Sequence, residues 1–104
     1  MIRVTLKGRL VAEPVVRKTK GGKQVTHIRV ACPTFGDKVT FIPAQIWGRE
    51  GIERHLKKGT EVYIDGEIHQ ENFSLNGKSI SILRVNAQSI DVIRQPKSAQ
   101  QALA

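Results

Sequence analysis

The sequence predicts an all-β protein, a barrel of five strands with one short helix between strands 3 and 4, and three observations carry that prediction. Apolar and polar residues alternate with a period of two in successive stretches, the spacing that turns one face of a strand to a core and the other to solvent. A single stretch, around Ile52 and Leu56, switches to a four-residue spacing. Glycine turns, Lys20-Gly21-Gly22-Lys23 and Asn76-Gly77, join neighbouring stretches as hairpins do. At 104 residues the chain makes one domain with one modest core.

From Ile2 to Val11, Ile2, Val4, Leu6 and Leu10 fall on one face, and Arg3, Thr5, Lys7 and Arg9 form a basic outer face. Glu13 and Pro14 break this strand, since proline has no N–H to give a ladder, and Val15 to Thr19 continue as a short extended piece. The Lys20–Lys23 turn is a hairpin rather than a phosphate cradle, because no helix-forming sequence follows it. Gln24 to Cys32 is the second strand, with Thr26, Ile28, Val30 and Cys32 on one side and His27, Arg29 and Ala31 on the other. Pro33 ends it, and Phe35-Gly36-Asp37 connects to the third strand, Lys38 to Trp47. Phe35 stands at the tip of that connection, either as a binding group or as a plug over the barrel end.

Within the third strand, Ile42, Ala44 and Ile46 share one side, and Phe41, Pro43, Gln45 and Trp47 share the other. With the small aliphatic side on the core, two of the chain's five aromatic residues face outward on one strand. Two readings fit: rings that stack on nucleic-acid bases beside positive charge, or a strand buried on both sides or against another subunit.

Glu50 and Glu53 early, Lys57 and Lys58 late, and Gly59 as a stop then make a short helix with charges matched to its dipole. Glu61 to His69 is the fourth strand, with Val62, Ile64 and Ile68 inward and Gly66 at a bend or bulge, and it leads into Phe73. After Asn76-Gly77 the last strand runs from Lys78 to Ile93. Its apolar phase slips between Ile80 and Ile82, Val85 and Ala87, and Ile90 and Val92, so a bulge is expected. Residues 94–104 are expected to be a short disordered polar tail, leaving residues 1–93 as the folded domain. This order of elements is that of a Greek-key OB-fold.

The net charge is +8, and it is unevenly placed. Residues 1–60 hold thirteen basic and four acidic side chains, net +9, against four and five, net −1, in residues 61–104. A basic face that binds a polyanion follows, with nucleic acid ahead of an anionic membrane or an acidic protein. MIRVTLKGRL lacks the apolar run of a signal peptide and no segment is long enough to span a membrane, so a cytoplasmic protein without a membrane role is expected. The lone Cys32 forms no internal disulfide. His27, His55 and His69 are scattered and no serine lies in a nucleophile motif, so no enzyme is predicted and no metal or other cofactor is called for. Glu61, Asp65, Glu67 and Glu71 share a strand parity; such acids are usually solvated or are cross-strand partners of Lys and Arg rather than cation ligands.

From about Arg3 to Ile93 the chain resembles the bacterial single-stranded DNA-binding protein family. The likeness is carried by Val4-Thr5-Leu6-Lys7-Gly8-Arg9-Leu10, Glu13-Pro14-Val15-Val16-Arg17, Trp47-Gly48-Arg49, Leu56-Lys57-Lys58-Gly59 and Val62-Tyr63-Ile64-Asp65-Gly66. The resemblance implies an OB-fold that assembles as a homotetramer, ahead of a dimer, and wraps single-stranded DNA in replication, recombination or repair, in association with the nucleoid. It places the base-stacking positions on Phe35, Phe41, Trp47 and Phe73, and the basic contacts on Arg3, Arg49, Lys57 and Lys58.

The chain departs from the family pattern at two places. His69-Gln70-Glu71-Asn72 stands where arginines usually precede the Phe73 position, so the arm should attract phosphate less. No acid follows Asp91, where the family usually ends in a linker and an acidic tip. A minimal core is therefore expected, of plasmid, phage, accessory or primosomal kind, without tail-mediated recruitment of replication enzymes. RNA binding, and a protein-interaction module that uses the aromatic face, stand as alternatives.

Overall fold

The computed structural model describes residues 1–96, and its elements are strands apart from one turn of 3-10 helix, Ile52–His55. The strands are β1 (Arg3–Leu10), β2 (Val15–Lys18), β3 (Gln24–Pro33), β4 (Val39–Trp47), β5 (Glu61–Leu75) and β6 (Lys78–Arg94). Their order is β1-β5-β6-β4-β3-β2, and an added β1–β3 pairing closes the first five into a ring with β2 outside. This five-stranded ring is the OB-fold expected from the sequence. The short Val15–Lys18 piece is β2, joined to β3 by the Lys20–Lys23 hairpin turn with Gly22 at φ 82.

Ring closure depends on a few close approaches. β1 meets β3 only at Arg9↔Ala31 and Leu10↔Val30, and β4 meets β6 in parallel at Ala44↔Val85 and Gln45↔Asn86. A Cβ on Gly8 would collide with the Ala31 carbonyl, and one on Gly66 with the Asn86 carbonyl, so only glycine lets these backbones pass. Gly66 also stands at a register shift: Asp65 pairs with Ser89 and Gly66 with Ala87, which leaves Gln88 as an extra residue on β6. That bulge accounts for the phase slip between Ala87 and Ile90. The earlier slip has another cause. The ladder is continuous from Ile68↔Val85 to Leu75↔Lys78, so Ile80 and Ile82 lie on the opposite face from Val85 and beside Phe73.

Inside the ring, Leu10, Ile28, Val30, Ala44, Ile46, Val62, Ile64, Val85 and Ile90 form the core. Alternation predicts these positions; it fails at Ile2, which precedes β1 and is 63% exposed, and at Val25, which has the outward parity of His27 and Arg29 yet is buried. Leu56, fully buried, closes one end of the ring. The helix expected around it is reduced to a single 3-10 turn. Gly51 enters that turn with a left-handed φ of 84° and Leu56 leaves it extended at φ −116°, so the segment cannot wind further. What fixes the turn is Gln24, whose buried carboxamide donates to Glu53 at 2.9 Å and to Thr26 at 3.1 Å. Beyond the ring, β5 and β6 run on as a two-stranded arm to Asn76 (φ 52) and Gly77 (φ 77), two positive-φ residues as a type I′ hairpin turn needs.

Candidate nucleic-acid interface

On β4 the two sides separate as the alternation requires. Ala44 and Ile46 are buried, while Phe41 and Trp47 are 50% and 44% exposed, although the strand is flanked by β3 and β6. Register places Phe41 opposite Ala31, Pro43 opposite Arg29, Gln45 opposite His27 and Trp47 opposite Val25. The two rings thus stand at the two ends of one outer face, about 20 Å apart at the rise of an extended strand. Each ring has a cation above it. Lys23 Nζ lies 5.7 Å from the Trp47 ring centre, and Arg29 Cζ lies 5.1 Å from that of Phe41. A cation–π contact at such an exposed site contributes about 0.5–1 kcal/mol.

Between the rings the face is polar and tightly bonded. The Gln45 carboxamide is buried, and its Nε2 donates to Asn86 Oδ1. Asn86 Nδ2 in turn reaches His69 Nδ1 at 3.3 Å, and His69 Nε2 reaches Glu71 at 3.1 Å. Arg84 pairs with the other Glu71 oxygen at 3.3 Å. His27 sits beside this chain with its pKa lowered, first by burial and then by Arg84 and Arg17, with Glu71 acting in the opposite sense. The centre of the face is therefore held positive with one acid set into it.

The remaining expected residues fall in three places. Phe35, on the β3–β4 loop, is 93% exposed and covers nothing, which excludes a plug over the ring end. Phe73 is 44% exposed on the arm, opposite Ile80 and on the side of His69 and Glu71. Arg49, Lys57 and Lys58 surround the end capped by the 3-10 turn. There the Lys57 and Lys58 N–H groups donate to Thr60 Oγ1 and the Glu13 carboxylate, and the three side chains are exposed and outside any ion pair among the described residues. Arg3 is different. Its guanidinium meets Asp65 at 3.1 Å, Glu67 at 3.9 Å and Gln88 at 2.7 Å on the β1–β5–β6 side.

Sequence reasoning passed over Lys23, His27, Arg29 and Arg84 as site residues. Parity alone places His27 and Arg29 outward on β3; what it lacks is the register that sets them against Gln45 and Pro43. Across the ladder from the arm an arginine, Arg84, stands opposite His69, but Glu71 already pairs with it. Among the described residues no three of His, Cys, Asp and Glu converge as metal ligands. Glu61, Asp65, Glu67 and Glu71 are cross-strand partners of Arg9, Arg3 and Arg84. Clefts of about 410 and 530 Å³ flank the β1–β3 seam without a nucleophile–base pair. Cys32, at the edge of the smaller one, has its thiol pKa pushed up by burial, the opposite of activation. No helix of the described residues is long and apolar enough to cross a membrane.

The model of the single-strand binding protein family matches residues 1–93. A single-stranded DNA-binding protein of Oceanobacillus iheyensis is 33% identical over 100 residues, which is 88% of this chain and 62% of that protein. A single-stranded DNA-binding protein of Treponema pallidum is 27% identical, covering 86% of this chain and 56% of its own length. A single-stranded DNA-binding protein 2 of Listeria monocytogenes is 32% identical, with 94% and 66% covered. The chain spans about three-fifths of the length of these curated relatives.

Proposed function

We propose, from its place in the single-strand binding protein family, to which the chain belongs over residues 1–93, that it binds single-stranded DNA with little regard to sequence. One observation supports the reading most: Phe41 and Trp47 are turned out on a central strand, each beside a cation that has no carboxylate partner among the described residues. Flat rings accept any base, and uncompensated cations attract the phosphates between them. Phe35 and Phe73 extend the stacking track beyond the Phe41 end of β4, Phe35 from the loop before that strand and Phe73 from opposite Ile80 on the arm. Arg49, Lys57 and Lys58 supply phosphate contacts, and Arg3 a weaker one, because it must first leave Asp65. The relatives are named for binding alone, and the activity proposed here is binding without catalysis, in replication, recombination or repair in the bacterial cytoplasm.

The proposed resting state is a homo-oligomer, a tetramer ahead of a dimer. β1 pairs with β3 at Arg9 and Leu10 only, so the Arg3–Lys7 edge away from β5 is left for a strand of a second subunit. The test is a titration of single-stranded DNA, matched RNA and duplex at two salt concentrations, followed by Trp47 emission and accompanied by sedimentation. Oligo-dT quenches Trp47 with a log-log salt slope of roughly −2 to −3.5, three to five phosphates per subunit. Tighter RNA binding transfers the reading to RNA; unchanged emission with loss of the oligomer in Trp47→Ala transfers the ring to a subunit interface.

A further inference from the structure

We propose that Lys23 and Arg29 are the phosphate contacts of the nucleotides that stack on Trp47 and Phe41, parked over the rings in the free protein and exchanged for the base when the strand arrives. The proposal rests on the single-strand reading above and adds two residues outside the basic set that the family resemblance supplies. Both side chains are exposed, and within ion-pair reach neither has a carboxylate among the described residues, whereas Arg3, Arg9 and Arg84 each have one. Their charge is therefore free for an anion. It is also aimed, since each cation lies over the ring face that a base would use.

The backbone is built to let the side chains move while their roots stay fixed. Lys23 closes the β2–β3 turn, its carbonyl accepting from Thr19 N–H at 2.9 Å and its own N–H donating to Thr19 Oγ1 at 3.2 Å. Its stem then crosses Gly48, where an added Cβ would come within 3.2 Å of Lys23 Cε, so the glycine after Trp47 leaves the channel that brings the ammonium over the indole. Arg29 is rooted by its carbonyl, which accepts from Val11 N–H at 3.0 Å, and it faces Pro43, which offers no acid and no donor. A cation over an exposed ring is a weaker contact than a stacked base, so the base takes the ring. The displaced cation remains within a side chain's length of that nucleotide's phosphate.

The experiment compares wild type with Lys23→Gln, Arg29→Gln, the double variant and Arg29→Lys, each confirmed by sedimentation to be correctly assembled, in oligo-dT titrations from 50 to 200 mM salt. Removing one phosphate contact flattens the log-log slope by about 0.7, so the fourfold rise in salt costs each single Gln variant about 2.6-fold less affinity than it costs wild type. The double variant shows twice the change in slope, and Arg29→Lys keeps the wild-type slope. In the free protein, Lys23→Gln raises the quenching of Trp47 by acrylamide, because the ring loses its cover. Unchanged slopes with a wild type that still binds and quenches overturn the proposal and leave single-strand binding standing. Failure of wild type to bind oligo-dT overturns both.

Discussion

Two outer faces of one ring carry arginines, and their standing toward an anion is opposite. On the β1–β5 face Arg3 lies opposite Glu67 with Asp65 at 3.1 Å, and Arg9 lies opposite Glu61 at 3.9 Å. On the β3–β4 face His27 and Arg29 lie opposite Gln45 and Pro43, and the cations have rings for neighbours. Both faces look basic when β1 and β3 are read singly. The availability of a cation depends on the neighbouring strand, because an acid across the ladder competes with any phosphate for the same donors.

The largest expected effect compares the two exposed aromatics of matching accessibility on these faces, Trp47 at 44% and Tyr63 at 45%. Trp47→Ala costs oligo-dT binding about 1–3 kcal/mol, the value of one stacked base, while leaving the fold intact. Tyr63→Ala, beside Lys7 on the acid-balanced face, costs little, and equal losses in a fluorescence or filter titration would erase the distinction between the faces. Phe73→Ala falls between them, since Glu71 shares its side of the arm.

A smaller effect sharpens the comparison from the acid side. Glu71 is the one carboxylate set into the positive centre, holding Arg84 and His69. Glu71→Gln releases them, and because part-exposed pairs contribute about 0.2–1 kcal/mol, affinity for oligo-dT rises by about 1.4- to 5-fold. A fall in affinity would mean that Glu71 organises the site rather than opposes the strand.

Smaller again is a pH effect on stability. His27 has its folded pKa lowered from 6.5 by burial and by Arg84 and Arg17, so the unfolded chain takes its proton first as pH falls. Its contribution to stability is present above pH 6.5 and is lost as the pH drops through the unfolded and then the folded value. The denaturant midpoint therefore decreases from pH 7.5 to 5, and His27→Gln removes that part of the decrease. An identical pH profile in the variant would show that neither burial nor the neighbouring arginines set the protonation of His27. At the small end, Arg3→Ala flattens the oligo-dT salt slope by well under the value of one full contact, because Asp65 and Glu67 compete for its guanidinium; a change of about 0.7 would make Arg3 a full phosphate contact.

By itself the sequence determines which side of each strand is apolar, because side-chain direction alternates with a fixed period of two. Thus the core from Leu10 to Ile90 and the placement of Phe41 and Trp47 on the side away from Ala44 and Ile46 follow from alternation along the chain, while their exposure there is a property of the folded ring. It also determines the tight turns, since Asn76-Gly77 and Gly22 stand where φ is positive. Other features were settled only when strands met. Register decided that Arg3 faces acids and Arg29 does not, that Arg84 stands opposite His69 with Glu71 for a partner, and that Ile80 and Ile82 join the Phe73 side with no bulge between them and Val85. The segment after Trp47 winds one turn instead of a helix because Leu56 must plug the ring end and Gln24 must hold Glu53. The expected disordered tail lies, from Lys97 onward, outside the described residues. The physical reason for the division is range: alternation and turn chemistry act within a few residues, whereas charge compensation and end-capping act between residues brought together only by ring closure.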